Sequence, residues 1–416
     1  MPRSAPDAHA ARVICMLQGP SGGFFWRLRA RLQARGVRVV RVNLCAGDRL
    51  DWPGPAFDFR DTPQHWPMFI ERLMREEGVT DLLLLGEQRD YHRVAIAAAR
   101  RLGVTVAVCE LGYLRPDWLT LELDGMSAHS RFPREPAQIR AAAAGVPAPD
   151  DQRRFDGGFV REAVADVAYH LANLAFGWRY PHYRSHLPGQ PVWLDLGIGL
   201  HMLRDLATRP AMTRRCARLA TSARPFFLMP LQIESDFQIR AYSRYASVGD
   251  ALREVVASFA RHAPAHAHLA IKAHPREVVW RSWRRLAGEL ARAGGVADRV
   301  HYLDGGDLDR LIAASRGVVT VNSTVGLQAL QRGRPVKTLG AAVYDVAGMT
   351  HGGDLDSFWS DPVPPDAALV RDFIALLAVS IQVRGSFYSR AGSAAALDEF
   401  AERLASGGVN RIRADA

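Results

Sequence analysis

Short apolar runs alternate with amphipathic stretches along the first third of the chain. RVICML (12–17), VRVVRVNL (37–44), TDLLLLG (80–86) and VTVAVCE (104–110) are apolar runs bounded by turn residues, the pattern of strands buried on both faces. Between them, FFWRLRARLQARG (24–36), WPMFIERLMREEG (66–78) and HRVAIAAARRLG (92–103) carry apolar residues at helical spacing, and each closes on a glycine suited to a C-cap. This strand–helix rhythm predicts a parallel, doubly wound sheet whose ligands gather at the carboxyl ends of the strands.

The rhythm stops at a connector rich in Pro and Ala, PREPAQIRAAAAGVPAPDDQ (133–152), and a mainly helical stretch follows from 153 to about 220. It resumes with strands PFFLMPLQ (225–232), AHLAIKAH (267–274), VVTVN (318–322) and PVKTLG (335–340). The helices between them are VGDALREVVASFARHA (248–263), LDRLIAASRG (308–317) and STVGLQALQRG (323–333). The tail, 366–416, reads as two or three further helices. The predicted organisation is an α/β chain with a Rossmann-like domain over 1–220, a second over 221–365, and C-terminal helices over 366–416. Two such halves without a dinucleotide fingerprint point to a GT-B-like arrangement, two domains facing a cleft; other two-domain α/β enzymes share the pattern.

Composition narrows the function classes. At 416 residues, 48% hydrophobic and 23% charged, the chain has the make-up of a folded soluble protein. No apolar run reaches the ~18 residues of a membrane span, and the N-terminal segment MPRSAPDAHAARVICMLQ carries no usable signal sequence. Cys15, Cys45, Cys109 and Cys216 are far apart, as expected of reduced, mostly buried thiols in a cytoplasm. The net charge of +10 favours anionic substrates or an anionic lipid surface. It is spread along the chain with no nucleic-acid motif, so nucleic acid is not an expected partner. Lys272 and Lys337 are the only lysines in a chain with 53 basic residues.

Five motifs sit at predicted strand ends. QGPSGG (18–23) places Gly19 and Ser21 where backbone N–H groups face an anion at a helix N-terminus; it also matches the G-x-S-x-G elbow, but no Asp or His is clearly placed to complete a triad, and a tight glycine turn closing strand onto helix is the strong alternative. CELGYLRPDWLTLE (109–122) puts Glu110 at a strand's carboxyl end, either as a catalytic carboxylate or as a partner for Arg115. In PLQIESDFQIR (230–240), Gln232, Glu234, Asp236 and Gln238 alternate, ahead of Arg240, through a stretch too polar for a core strand; it reads as a functional loop or a solvated one. KAHP (272–275) joins Lys272, His274 and Pro275 in a phosphate-binding pattern, with lysine as a compact point charge. VNSTVG (321–326) supplies Asn322, Ser323 and Thr324, a helix cap that also suits phosphate. No tight His/Cys ligand cluster calls for a metal.

In this order the motifs resemble the KpsS family of capsule proteins, which is related to the KpsC modules. The resemblance rests on LQGPSGGFFWRLRARL, VNLCAGD, GEQRDYHR, ELGYLRPDWLTLE, LQIESDFQI, KAHP and NSTVGLQALQRGRPVKTLGAAVYDVAGMTH, from residue 17 to about 351. It implies a retaining β-Kdo glycosyltransferase that takes CMP-β-Kdo and starts a poly-Kdo linker on a phosphatidylglycerol-type lipid at the inner face of the cytoplasmic membrane. It also implies other capsule biosynthesis or export proteins as partners, and no cofactor. By the same resemblance Asp236 is the nucleophile and Glu110 the acid/base. Lys272, His274, Pro275, Asn322, Ser323 and Thr324 hold the CMP phosphate, with the imidazole as a cation-capable contact. Gln232, Glu234, Arg240, Arg115, Gly19 and Ser21 are the further substrate-side candidates. An enzyme using another nucleotide sugar, and a non-enzymatic scaffold of the export machinery, are the rival readings. The basic and aromatic residues Trp178, Arg179, Tyr180, His182, Tyr183 and Arg184 are expected either at a membrane surface or in an ordinary packed corner.

Overall fold

The structure, a computed structural model, describes residues 12–150, 152–156, 158–185, 197, 208, 210–222, 224–234, 237–277 and 282–412. The chain forms two compact units. One comprises Met1–Arg131, Asp151–His186 and Val379–Ala416; the other comprises Phe132–Asp150 and Leu187–Ala378.

The first unit is built on strands β1 (Val13–Met16), β2 (Arg38–Asn43), β3 (Phe57–Asp58), β4 (Asp81–Leu85), β5 (Thr105–Leu111) and β6 (Trp118–Leu123), completed by β12 (Gln382–Arg384). The seven-stranded order is β12-β6-β5-β4-β1-β2-β3. The strands from β3 to β5 run parallel, in a register that sets Cys15 beside Val40 and Leu82, and Leu83 beside Ala107. β6 and β12 join antiparallel, Glu110 facing Thr120 and Leu119 facing Val383. β1 is buried along its whole length, as a strand with helices on both faces must be. Phe24, Leu28 and Leu32 of the helix Phe24–Gln33 supply one layer of the core, and Phe24 meets Phe387 and Phe400 edge-on at 5.0 and 5.5 Å. The strand order reverses between β1 and β4, so the crevice of this sheet opens at their carboxyl ends.

The second unit holds β7 (Phe226–Pro230), β8 (His268–Lys272), β9 (Val300–Leu303), β10 (Gly317–Thr320) and β11 (Val336–Thr338) in the order β11-β10-β7-β8-β9. All its pairings are parallel. The helix Val248–His262 buries Leu252, Val255, Val256 and Phe259 against this sheet, and Ser247 caps it by accepting from the Asp250 N–H. Trp359 stands edge-on to Phe227 at 5.0 Å and donates its indole N–H to Ser258 at 2.7 Å. The order reverses between β7 and β10.

Both predicted sheets and their intervening helices are present, so the chain is a two-unit α/β protein. The units do not follow the linear boundaries read from the sequence. The tail does not form a separate helical segment: Ala367–Ser380 belongs to the second unit, while β12 and the helix Arg390–Ser406 belong to the first. The cause is the β12–β6 pairing together with burial of Phe400, Ala401 and Leu404 in the first core. The connector carries the helix Pro136–Ala143 and goes with the second unit. The helical stretch after 153 is divided, Phe159–Phe176 going to the first unit and residues 210–221 to the second. Strands β3, β6, β9 and β12 were not expected.

Candidate functional site

In the second unit the predicted residues converge on neighbouring strand ends. β7 and β8 run side by side to Pro230 and Lys272, and the Leu231 N–H continues the ladder to the Lys272 carbonyl at 2.8 Å. Gln232, just past β7, and Asn322, just past β10, hold each other across the switch point. The Gln232 amide donates to Asn322 Oδ1 at 2.9 Å, and the Asn322 N–H donates to Gln232 Oε1 at 3.2 Å. Asn322 also donates to the Gln238 carbonyl at 2.9 Å, which ties in the loop that follows β7. Ser323 caps the helix Thr324–Gln331 by accepting from the Val325 N–H at 3.3 Å. Its carbonyl takes the hydroxyl of buried Tyr344 at 2.5 Å. The Gln232–Asn322 pair thus braces a crevice that offers the Ser323 hydroxyl and the first turn of a helix to an anion.

Lys272 is buried at the end of β8, with Nζ 3.3 Å from the Ala273 carbonyl. His274 follows in the loop, half-buried, and its Nδ1 accepts from the Arg276 N–H at 3.1 Å. The ring proton therefore sits on Nε2. Burial, then the charges of Arg276 and Lys272, pull this imidazole down to about 4. At neutral pH His274 is therefore an uncharged N–H donor beside a buried ammonium. Pro275 is exposed in the same loop.

Glu277, which the sequence reading did not single out, stands beside these residues. It is buried and accepts from the Glu234 N–H at 2.8 Å, joining the β8 loop to the β7 loop. Burial pushes its carboxyl up to about 7, against the Glu234 N–H that favours the charged form. Glu234 itself accepts from the Val248 N–H at 2.9 Å, beside the Ser247 cap of the same helix, so it has a structural role. Arg240 is exposed and lies over the Phe237 ring at 5.2 Å. Asp236 lies outside the described residues. The other lysine, Lys337, donates to the carbonyls of His351 at 3.3 Å and Gly353 at 2.5 Å and holds their loop. A 590 Å³ cavity beside β11 is lined by Lys337, Arg244, Glu254 and Asp345 among others, and none of the predicted phosphate residues lines it.

The raised Glu277 carboxyl has a measurable consequence. Between its ordinary value of 4.5 and about 7 the folded chain keeps a proton that the unfolded chain has released. Its contribution to stability is complete below that window and is lost as pH rises through it. In Glu277→Gln, which keeps an acceptor for the Glu234 N–H, urea titrations below and above the window should differ less than in the wild type. An unchanged difference would contradict the assignment.

The crevice of the first unit contains a different chemistry. Glu110, the penultimate residue of β5, is half-buried, with Oε1 accepting from the Leu111 N–H at 3.0 Å. Gly86, at φ +65°, makes room for it: a Cβ there would lie 3.3 Å from Glu110 Oε2. The Gly86 carbonyl receives the Nδ1 proton of His92 at 2.7 Å. Fully buried, His92 is pulled down to about 3 and keeps an unprotonated, unpartnered Nε2. Arg115 is exposed in the loop from β5 to β6. Gly19 is demanded by packing, because a Cβ would meet the Phe25 ring at 2.6 Å. Ser21 donates to Asp166, which makes QGPSGG a tied structural turn and not a hydrolase elbow.

Beside that turn lies a buried polar network that was not foreseen. The Gln18 amide donates to the hydroxyls of Tyr169 at 3.0 Å and Tyr183 at 3.3 Å. Asp48 accepts from the Tyr169 hydroxyl at 2.9 Å and the Leu44 N–H at 2.8 Å, and pairs with buried Arg41 at 3.5 Å. Burial pushes the Cys45 thiol and the Tyr169 hydroxyl upward, so both stay protonated and act as positioning groups. The aromatic-basic stretch divides. Tyr180 is buried and donates to Asp58 at 2.8 Å, Tyr183 stacks on Tyr91 at 6.0 Å, and Trp178 is 75% exposed.

Among the described residues no group of three or more His, Cys, Asp or Glu is placed to hold a metal, and no helix is long and apolar enough to cross a membrane. All four cysteines are buried and free.

Comparison with known proteins gives the family of the chain. The chain is 31% identical over 385 residues to the capsule polysaccharide export protein KpsS of Escherichia coli, covering 91% of this chain and 97% of that protein. It is 31% identical over 396 residues to the capsule polysaccharide modification protein LipB of Neisseria meningitidis serogroup B, covering 92% and 93%. A solved structure of Thermosulfurimonas dismutans KpsC, beta Kdo 2,7 transferase, is similar with a TM-score of 0.48 and 17% identity, covering 94% of this chain and 98% of that one. The family described as capsule polysaccharide biosynthesis protein matches residues 80–388. On that match and on these relatives, the chain belongs to the capsule polysaccharide biosynthesis protein family.

Proposed function

We propose that this protein is a retaining β-Kdo glycosyltransferase that uses CMP-β-Kdo to start the linker of a capsular polysaccharide on a phosphatidylglycerol-type lipid. The observation that carries the reading is the convergence of polar and basic side chains on the crevice at the β7/β10 switch point. There Gln232, Lys272, His274, Asn322 and Ser323 stand at adjoining strand ends. Membership of a capsule biosynthesis family supports the choice of a sugar-nucleotide phosphate as the anion.

In this reading Lys272 supplies charge from a buried position, and the His274 Nε2–H and the Ser323 turn donate to the phosphate oxygens. Together they stabilise the negative charge that grows on the leaving CMP. Asp236 attacks the anomeric ketose carbon, and the bond from that carbon to the CMP oxygen breaks as the ester forms. Glu110 then takes the proton of the acceptor hydroxyl, whose oxygen displaces Asp236 and restores the original configuration. Arg115 and Arg240 are the candidate partners of the sugar carboxylate, and docking at the inner face of the cytoplasmic membrane is peripheral. Incubation of the protein with labelled nucleotide sugars, one at a time, tests the donor. CMP release from CMP-Kdo alone is the expected result; turnover of a UDP-sugar instead would assign a different transferase, and no turnover of any donor would favour a scaffold.

A further inference from the structure

The helix Phe159–Phe176 is turned inside out. Its polar positions face the first unit: Asp166 accepts from Ser21, Tyr169 donates to Asp48 at 2.9 Å, and Asn173 accepts from the Gly47 N–H at 2.7 Å. Its apolar positions face outward. Val160 is 71% exposed, Val164 63%, Val167 40%, Leu171 47% and Leu174 64%, and Trp178 continues the line just beyond. These residues are spaced by alternating steps of four and three, one stripe down one side of the helix. A helix of a water-soluble domain normally shows the opposite arrangement. The inward hydrogen bonds fix this orientation, so the stripe is a built surface.

We propose that this face is a docking surface for an anionic lipid bilayer. The charge around the stripe selects that occupant. The exposed positions from Phe159 to Ser185 include Arg161, Arg179, His182 and Arg184 and no carboxylate; Arg161 pairs with the exposed Asp156 just ahead of the helix at 3.3 Å, which leaves the basic excess at the Trp178 end, and Glu162 and Asp166 lie on the sides of the helix that are less exposed. A second copy of the chain would find the same spacing acceptable, yet pairing would set the basic residues Arg179, His182 and Arg184 of each copy against a flank whose one exposed carboxylate, Asp156, is already paired with Arg161. A bilayer supplies both complements: acyl chains for the stripe and negative headgroups for the arginines. Trp178, with the Arg179 guanidinium 5.8 Å above its ring, is suited to the boundary between them. The helix is about 27 Å long, and lying in the plane of the surface it would seat the first unit beside a lipid acceptor without a membrane span. The inference deepens the lipid-acceptor part of the reading above, and its test is separable from it.

Flotation of the full chain with vesicles of phosphatidylcholine and phosphatidylglycerol, against phosphatidylcholine alone, measures the docking. The wild type should float with the anionic vesicles and progressively less as salt rises. Leu171→Glu/Leu174→Glu should remove flotation, and Arg179→Ala should weaken it about fivefold. Circular dichroism checks that the variants fold; if the double glutamate variant does not, Leu171→Ser/Leu174→Ser serves in its place. Release of CMP from CMP-Kdo in detergent should be the same in all of them, because none of these side chains is among the proposed donor-site residues. Loss of flotation with CMP release retained supports the proposal, whereas loss of CMP release in the wild type would fault only the catalytic reading. No flotation of the wild type overturns it. So does a self-association, seen by ultracentrifugation, that the double variant abolishes while vesicle binding stays unchanged.

Discussion

In Asp236→Asn, transfer from CMP-Kdo is expected to fall by on the order of 10⁴-fold or more, with the fold intact. A carboxamide has nearly the shape of the carboxylate but neither the charge nor the nucleophilicity to form the proposed ester. Without that ester no retaining step can begin. Wild-type protein given donor and no acceptor should gain the mass of one Kdo on the peptide containing Asp236, and the variant should gain none. Glu234→Gln is the informative control. Its side chain can still accept from the Val248 N–H, the bond seen at 2.9 Å, so near-normal turnover is expected. Transfer by Asp236→Asn at the wild-type rate, or an adduct on another peptide, would remove the nucleophile assignment.

His274→Ala should reduce transfer by ~10²–10³-fold, the usual cost of losing one donor to a group that gains charge in the transition state. The structure adds a distinction that a cationic histidine would not make. Nδ1 is occupied by the Arg276 N–H and the imidazole is neutral down to about 4, so the useful atom is the Nε2–H. His274→Gln can reach toward the same point with an amide N–H and should retain more activity than His274→Ala. The profile of kcat/KM against pH reports groups of the free enzyme. It should show no descending limb near 6.5 that disappears in His274→Gln. Such a limb would mean that the imidazolium is the working form.

Much of this architecture was legible because parallel β/α units write their pattern locally. The runs RVICML, VTVAVCE and AHLAIKAH became β1, β5 and β8, and residues predicted at their ends stand at their ends. The unforeseen parts depend on partners distant in sequence. β12 exists because Val383 pairs with Leu119, a contact that no window of the sequence contains. The burial that lifts Glu277 and the hydroxyl that Tyr344 gives to Ser323 arise from loops brought together only by folding. The stretch from 153 to about 220 reads as mainly helical, but nothing local to it tells that the helix Phe159–Phe176 turns its apolar side outward. The scarcity of lysine proved an incomplete guide: Lys272 lies in the crevice, whereas Lys337 braces a loop through two carbonyls.

The central claim is the transfer of Kdo from CMP-Kdo to a lipid. It is tested most directly by mass spectrometry of a phosphatidylglycerol-type acceptor incubated with CMP-Kdo and the purified protein, followed by assignment of the anomeric configuration of the product. The account predicts a lipid heavier by one or more Kdo residues, β-linked as in the donor, and none with Asp236→Asn. An unmodified lipid in the presence of active donor, or an α-linked product, would contradict it.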